Sequence, residues 1–233
     1  MIANHYLSRS AQAASTEKVD CAEIEAVLDN LGAAQGITTL SDKYKLSTTA
    51  EEFTKRCQEM NDAVKLLRKY NKECYTSLTQ QVFSAILRTR SQMNEARCKP
   101  DTPEFKETWE STKCIQENAL ESARSAERKT ILSTQVLNDA NISDEKLRVR
   151  RACCNVLDSK TFFLDATKTN CSKYEKVYSE YVDSYTSEAM GLICPEADKL
   201  DCGKLEPLKL EGVELKYKFF LNPMLKLVKT LDH

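Results

Sequence analysis

The chain has 233 residues, 34 basic against 35 acidic side chains and a net charge of −1. That length suits one large domain or two small ones, and the even charge balance gives no reason to expect nucleic acid or an anionic membrane as a partner. No run of about 18 apolar residues is present to span a bilayer.

Only 5 Gly and 5 Pro occur, and long charged stretches carry apolar residues three and four apart, the helical period. The expected fold is all-α, with six to seven helices arranged as disulfide-braced hairpins. Residues 1–17 read as a flexible N-terminal segment, 18–202 as a single helical domain and 203–233 as a tail packing on the body. Residues 1–16 are polar and lack the apolar core of a signal peptide. A secreted protein is therefore expected to begin here in its mature form.

A first helix is expected over residues 18–33, with Ile24, Val27, Leu28 and Leu31 on one face and glycines at its end. Thr48-Thr49-Ala50-Glu51 reads as a capping box opening a second helix, to about residue 70. The stretch NKECYTS, which holds Cys74, reads as a tight turn. A third helix follows over 79–97, stopped by Cys98-Lys99-Pro100. Thr102 caps another start, with Pro103 at the first helical position. Helical pattern then runs to about residue 138, with a break near Cys114 or Ser125. Ser143-Asp144-Glu145 opens a helix to about 167, and a last long helix covers 172–192. Beyond Cys202, residues 213–219 alternate like a strand, and Met224, Leu225, Leu227, Val228 and Leu231 form a short amphipathic helix after Pro223.

Ten cysteines make an even number, which fits five disulfides and an oxidising, extracellular setting. Reduced cytosolic thiols and zinc are the competing readings. Zinc fails on spacing, since no Cys-x-x-Cys occurs. Cys57 to Cys98 and Cys153 to Cys194 are both separations of 41. Each pair brackets a helix, a turn holding one further cysteine (Cys74 or Cys171), and a second helix. This is a weak internal repeat of two hairpins. In an antiparallel hairpin the start of one helix lies beside the end of the next, so Cys57–Cys98 and Cys153–Cys194 are expected bridges. Cys21, Cys74, Cys114, Cys154, Cys171 and Cys202 remain, and six cysteines allow about 15 pairings. Adjacent Cys153 and Cys154 on a helix point about 100° apart, which suits bridges to two different elements. Cys154 is expected to tie its hairpin to the rest of the body. Asn141-Ile142-Ser143 is a usable glycosylation sequon; Asn170-Cys171-Ser172 has a cysteine at its centre.

The order FTKRCQEMNDAVKLLRKYNKEC, then QQVF, a late ACC, and single cysteines before a polar tail resembles a family of secreted, cysteine-rich helical proteins of insects and other arthropods. A nematode secreted cysteine-rich domain family is the second resemblance. The likeness covers residues 53–202 and rests on cysteine spacing. It implies secretion and a helical fold, and it brings no catalytic residues. Relatives carry further cysteines near Leu66 and Phe162. The resemblance implies that packing replaces a bridge between the hairpins there.

No catalytic, cofactor or metal residues are expected. The only histidines, His5 and His233, lie at the extreme ends, poor positions for an imidazole that must be held rigidly beside a nucleophile. Glycine-rich phosphate loops are absent. Glu107 and Glu110 flank Trp109, the only Trp, and read as a solvated helix face. The basic runs at 65–69 and 148–151 read as amphipathic faces. The other reading is a local basic patch for sulfated glycans or an acidic partner. Tyr174, Tyr178, Tyr181 and Tyr185 lie on one helical stripe. They are either core or a binding face, since tyrosine gives large contact area at low entropy cost. The expectation is a secreted, non-catalytic protein that binds a protein partner. The alternative is an extracellular carrier of lipid or another small hydrophobic ligand, which an enclosed apolar cavity of roughly several hundred Å³ would favour.

Overall fold

The computed structural model describes residues 19–35, 40, 46–140, 142–194 and 199–231, with side chains from Gly32 to Gln35 left aside. Asn141, His5 and His233 lie outside these residues. Described residues form helices and connecting segments, with no strand among them.

A 3₁₀ turn, Cys21–Glu23, leads into α1, Ile24–Gln35. The next helices are α2, Ala50–Cys74, and α3, Ser77–Arg97. Helix α4, Pro103–Cys114, passes through a π turn, Ile115–Ala119, into α5, Leu120–Asp139. Helix α6, Glu145–Cys171, and α7, Glu175–Ile193, make a second hairpin, and α8, Leu221–Lys229, closes the chain. Asp144 caps α6, Thr102 caps α4 and Pro103 opens it, where the sequence placed them. Of the two places expected for a break, Cys114 and Ser125, the first is followed by the π turn, ended by Ala119 at φ −140°, and helix runs unbroken through the second.

Helix α1 starts at Ile24 where the expectation began at 18, and α6 runs to Cys171 where about 167 was expected. Two further boundaries differ for a side-chain reason. The capping box of α2 is Thr49 with Glu52, one residue later than the sequence suggested. The Glu52 carboxylate accepts from both Thr48 N–H (2.8 Å) and Thr49 N–H (3.3 Å), so one side chain satisfies two donors that would otherwise be orphaned. Helix α2 also runs through NKEC to Cys74, leaving only Tyr75 and Thr76 as the turn. Gln80 makes so short a turn workable: its Nε2 donates to the carbonyls of Asn71 (3.3 Å) and Tyr75 (2.9 Å). Asn71 Nδ2 returns a bond to the Gln80 carbonyl at 3.2 Å.

Both hairpin bridges form as spacing implied, with Cα separations of 5.5 Å for Cys57–Cys98 and 5.9 Å for Cys153–Cys194. The turn cysteines reach back to the element before each hairpin: Cys74 to Cys21 at the head of α1, and Cys171 to Cys114 at the head of the π turn and α5. Their sequence separations are 53 and 57. The repeat is thus wider than the two hairpins. It comprises α1–α3 and α5–α7, each a leading helix cross-linked to a hairpin turn plus one bridge across the open end of that hairpin. Cys154–Cys202 falls outside the repeat and anchors the tail to α6. Arg150 and Arg151, just before it, donate to the carbonyls of Asp201 (2.6 Å) and Glu206 (3.1 Å) and fix the same segment. No cysteine is free.

The repeats share one core. Phe83, Ile86 and Leu87 of α3 pack with Val27 and Leu28 of α1, Tyr178 and Tyr185 of α7, and Phe219 and Leu225 of the tail. The tail completes the core. Its alternating run keeps the expected in–out pattern, with Glu214, Lys216 and Lys218 exposed and Phe219 buried. An all-helical body offers no strand edge, so helix side chains meet its backbone instead. Gln135 Nε2 donates to the Glu214 carbonyl (2.8 Å), and Lys216 N–H donates to Gln135 Oε1 (3.0 Å). Asp29 Oδ1 accepts from Lys218 N–H (3.1 Å), Phe219 N–H (3.2 Å) and Asn222 Nδ2 (2.7 Å). Burial pushes the Asp29 carboxyl up, against the pull of those three donors.

Tyr75 sits where α8 returns to the first repeat, edge-on to Phe83 at 5.7 Å. Burial, with the charge of Glu25, pushes its hydroxyl up to about 12. The folded chain therefore keeps a proton that the unfolded chain releases near pH 10. Stability is expected to fall as pH rises from about 10 toward 12, by on the order of 2 kcal/mol from this group. Urea unfolding of wild type and Tyr75→Phe at pH 9 and 11 checks it. The wild type should lose more between the two pH values than the variant, and equal losses would contradict the assignment.

Candidate functional site

The tyrosine stripe on α7 is not an outer face. Tyr178 is 0 % exposed and Tyr185 2 %, because α7 is packed between α3 and α6. Their polar ends find internal partners. Tyr178 Oη donates to the Ser111 carbonyl at 3.0 Å, and Tyr174, half-buried, reaches Glu110 at 3.3 Å. Tyr181 and Tyr185 flank the buried guanidinium of Arg90, whose carbon lies 5.1 and 4.6 Å from their ring centres. Arg90 also donates to Ser184 Oγ at 3.1 Å. Of the two readings left open for Tyr174, Tyr178, Tyr181 and Tyr185, core or binding face, the packing supports the core one, and the candidate binding face is corrected. Periodicity placed them on one stripe, and that stripe faces the core.

The other singled-out residues are structural. Glu107 lies 4.0 Å from Arg97, and Glu110 lies 3.9 Å from both Lys106 and Lys173. Trp109 packs on the cluster of Phe53, Met60 and Phe105. Asn170 of the second sequon donates its side-chain amide to the Asn118 carbonyl at 2.7 Å. Leu66 packs on the main core, while Phe162 lies under the Lys129 ammonium at 3.5 Å. Among the described residues, no group of three His, Cys, Asp or Glu side chains is placed to hold a metal ion.

One concave feature is built mainly of apolar surface. Helix α8 packs on α5, α3 and α1. It thus stands opposite the open end of the α6–α7 hairpin, with a cleft between them. One wall is α7, through Val182, Met190 and Ile193; the facing wall is the tail, through Phe220, Met224 and Leu231. Thr130 and Thr134 of α5 and Asn155 of α6 supply a polar strip on the floor, where Asn155 Nδ2 donates to Thr134 Oγ1 at 2.7 Å. The inner end is closed by Tyr181, Tyr185 and Phe163. Two stripe tyrosines thus reach the cleft from within the core.

Local sequence explains the walls. The RRACCN turn of α6 sends Cys153 to Cys194 and Cys154 to Cys202, while Ala152 and Asn155 on the same turn face the cleft. The two bridges tie the third turn of α6 to the end of α7 and to the tail segment beside the cleft. It encloses about 100 Å³, below the roughly 300–1,000 Å³ of a site for a drug-sized molecule. An apolar cavity of about 150 Å³ takes up benzene. This cleft is smaller still and suits an alkyl-chain end, with the rest of a ligand along the mouth.

Fold and site together define a class: an all-α protein of two disulfide-braced three-helix repeats, with an apolar cleft under its C-terminal helix. Comparison of the chain with protein-family models, with curated proteins and with solved structures finds no match.

Proposed function

We propose that the protein is a secreted, non-catalytic binding protein that takes up a small hydrophobic molecule by its slender apolar end. The apolar cleft between α7 and the tail carries this reading. Five disulfides with no free cysteine support an extracellular setting. No described helix is long and apolar enough to cross a membrane.

The protein-partner reading loses its main support once the tyrosine stripe is core. The exposed large apolar side chains among the described residues are Leu157 (38 %) and Leu192 (42 %), too few for the apolar centre of a stable interface. The cleft is also smaller than an enclosed carrier cavity, which selects thin ligands over bulky ones.

The test uses cis-parinaric acid, a thin polyene chain that fluoresces in apolar surroundings, with decanol as competitor. Its emission should rise on adding protein and fall on adding decanol. Met190→Trp, which fills the mouth from α7, should weaken probe binding at least about tenfold, or 1.4 kcal/mol, at unchanged thermal stability. No emission change with wild type, or equal affinity for the variant, would overturn the proposal.

A further inference from the structure

A second concave feature lies on the other repeat, far from the cleft in chemistry. Between the C-terminal half of α2 and the start of α3 runs a surface groove of about 320 Å³. Its rim is cationic: Arg68 and Lys72 from α2, and Arg88 from α3. Its floor is polar, made of Asn71, Gln80 and Ser84. Asn71 Nδ2 donates to Ser84 Oγ at 2.7 Å, which leaves the Ser84 hydroxyl hydrogen to donate into the groove.

The α2 side extends beyond the groove. Lys65, Arg68, Lys69 and Lys72 follow the spacing i, i+3, i+4, i+7 and share one helix face, a cationic stripe about 10 Å long. Asp62 meets Lys65 at 3.1 Å, and Glu188 meets Arg88 at 2.6 Å with both partners largely in solvent. Such an exposed pair is weak and is readily exchanged for a stronger anion. Arg68 and Lys72 pair with no carboxylate among the described residues.

We infer that this groove and stripe bind the sulfate groups of an extracellular sulfated glycan. A row of cations along one helix beside a groove with hydroxyl and amide groups matches a linear chain of sulfate esters and sugar hydroxyls. The alternatives lack their own signatures. A membrane surface would need apolar residues to insert beside the cations, and the exposed ones, Leu157 and Leu192, lie on the other hairpin. A single-stranded nucleic acid would need aromatic stacking platforms, whereas Tyr70, the tyrosine within this run, is buried. The inference rests on secretion and is independent of the apolar cleft.

Retention on immobilised heparin, and titration with heparin in solution, tests it. Wild type should be retained at physiological salt and elute as salt rises. Arg68→Glu/Lys72→Glu should elute far earlier, with affinity lowered at least tenfold. Lys173→Glu/Lys176→Glu makes the same charge change elsewhere and should behave as wild type. Desulfated heparin should not compete. Each variant must keep the wild-type circular dichroism spectrum and probe binding in the cleft, which separates failure here from failure of the proposed function. Flow-through of wild type, equal loss in both double variants, or tighter binding to phosphatidylserine vesicles or single-stranded RNA would overturn the inference.

Discussion

Complete reduction of the five disulfides is expected to unfold the protein at 25 °C. The bridges close sequence separations of 53, 41, 57, 41 and 48 residues. In the chain-entropy account a loop of such length adds about 4 kcal/mol by restricting the unfolded chain. Even with partial redundancy, five such terms rival the roughly 5–15 kcal/mol total stability of an ordinary domain. The reduced chain should lose its near-ultraviolet dichroism and its cooperative melting transition. A thiol titration of the unfolded, unreduced protein should find no free thiol. A reduced protein that still melts cooperatively within a few degrees of the oxidised form would contradict this account.

Loss of Arg90 should be the most damaging single substitution outside the cysteines. The side chain is 2 % exposed, stacked between Tyr181 and Tyr185 and bonded to Ser184. The desolvated ring contacts contribute about 2 kcal/mol, and the charged hydrogen bond to Ser184 about 1.5–3 kcal/mol. Arg90→Ala also leaves a cavity where the aliphatic stem lay. The midpoint of thermal unfolding should fall by about 10 °C. Arg90→Lys keeps the charge but not the planar fork between the rings, and should fall between the two. A loss below about 1 kcal/mol for Arg90→Ala would contradict this account of the ring contacts and the Ser184 bond.

What the sequence showed and what it hid follow from range. Helix starts were legible because Thr102 with Pro103, and Asp144, act on their own first turns. Two disulfides were legible because Cys57–Cys98 and Cys153–Cys194 close local hairpins, whose geometry the turn dictates. The other three join elements whose packing no local pattern specifies. The stitches made by Gln80, Gln135 and Asp29 were invisible for a different reason. A Gln or Asp on a helix looks solvated until the backbone it meets is known, and Gln135 meets residues of the tail. The tyrosine stripe shows the limit of periodicity: it reports that residues share a face, not what the face meets. The cleft was hidden because its walls come from four separate helices. Its one local trace was the apolar face of α8, where Met224, Leu227 and Val228 lie.

The proposed ligand site is tested most directly by labelling the methionine methyl groups with carbon-13 and titrating the folded protein with decanol. Met190 and Met224 face each other across the cleft, whereas Met60 lies in the separate cluster with Phe53 and Phe105. The account predicts that the Met190 and Met224 resonances shift together and saturate along one binding curve, with Met60 unmoved. A shift at Met60 alone, or no saturable shift at Met190 and Met224, would contradict it.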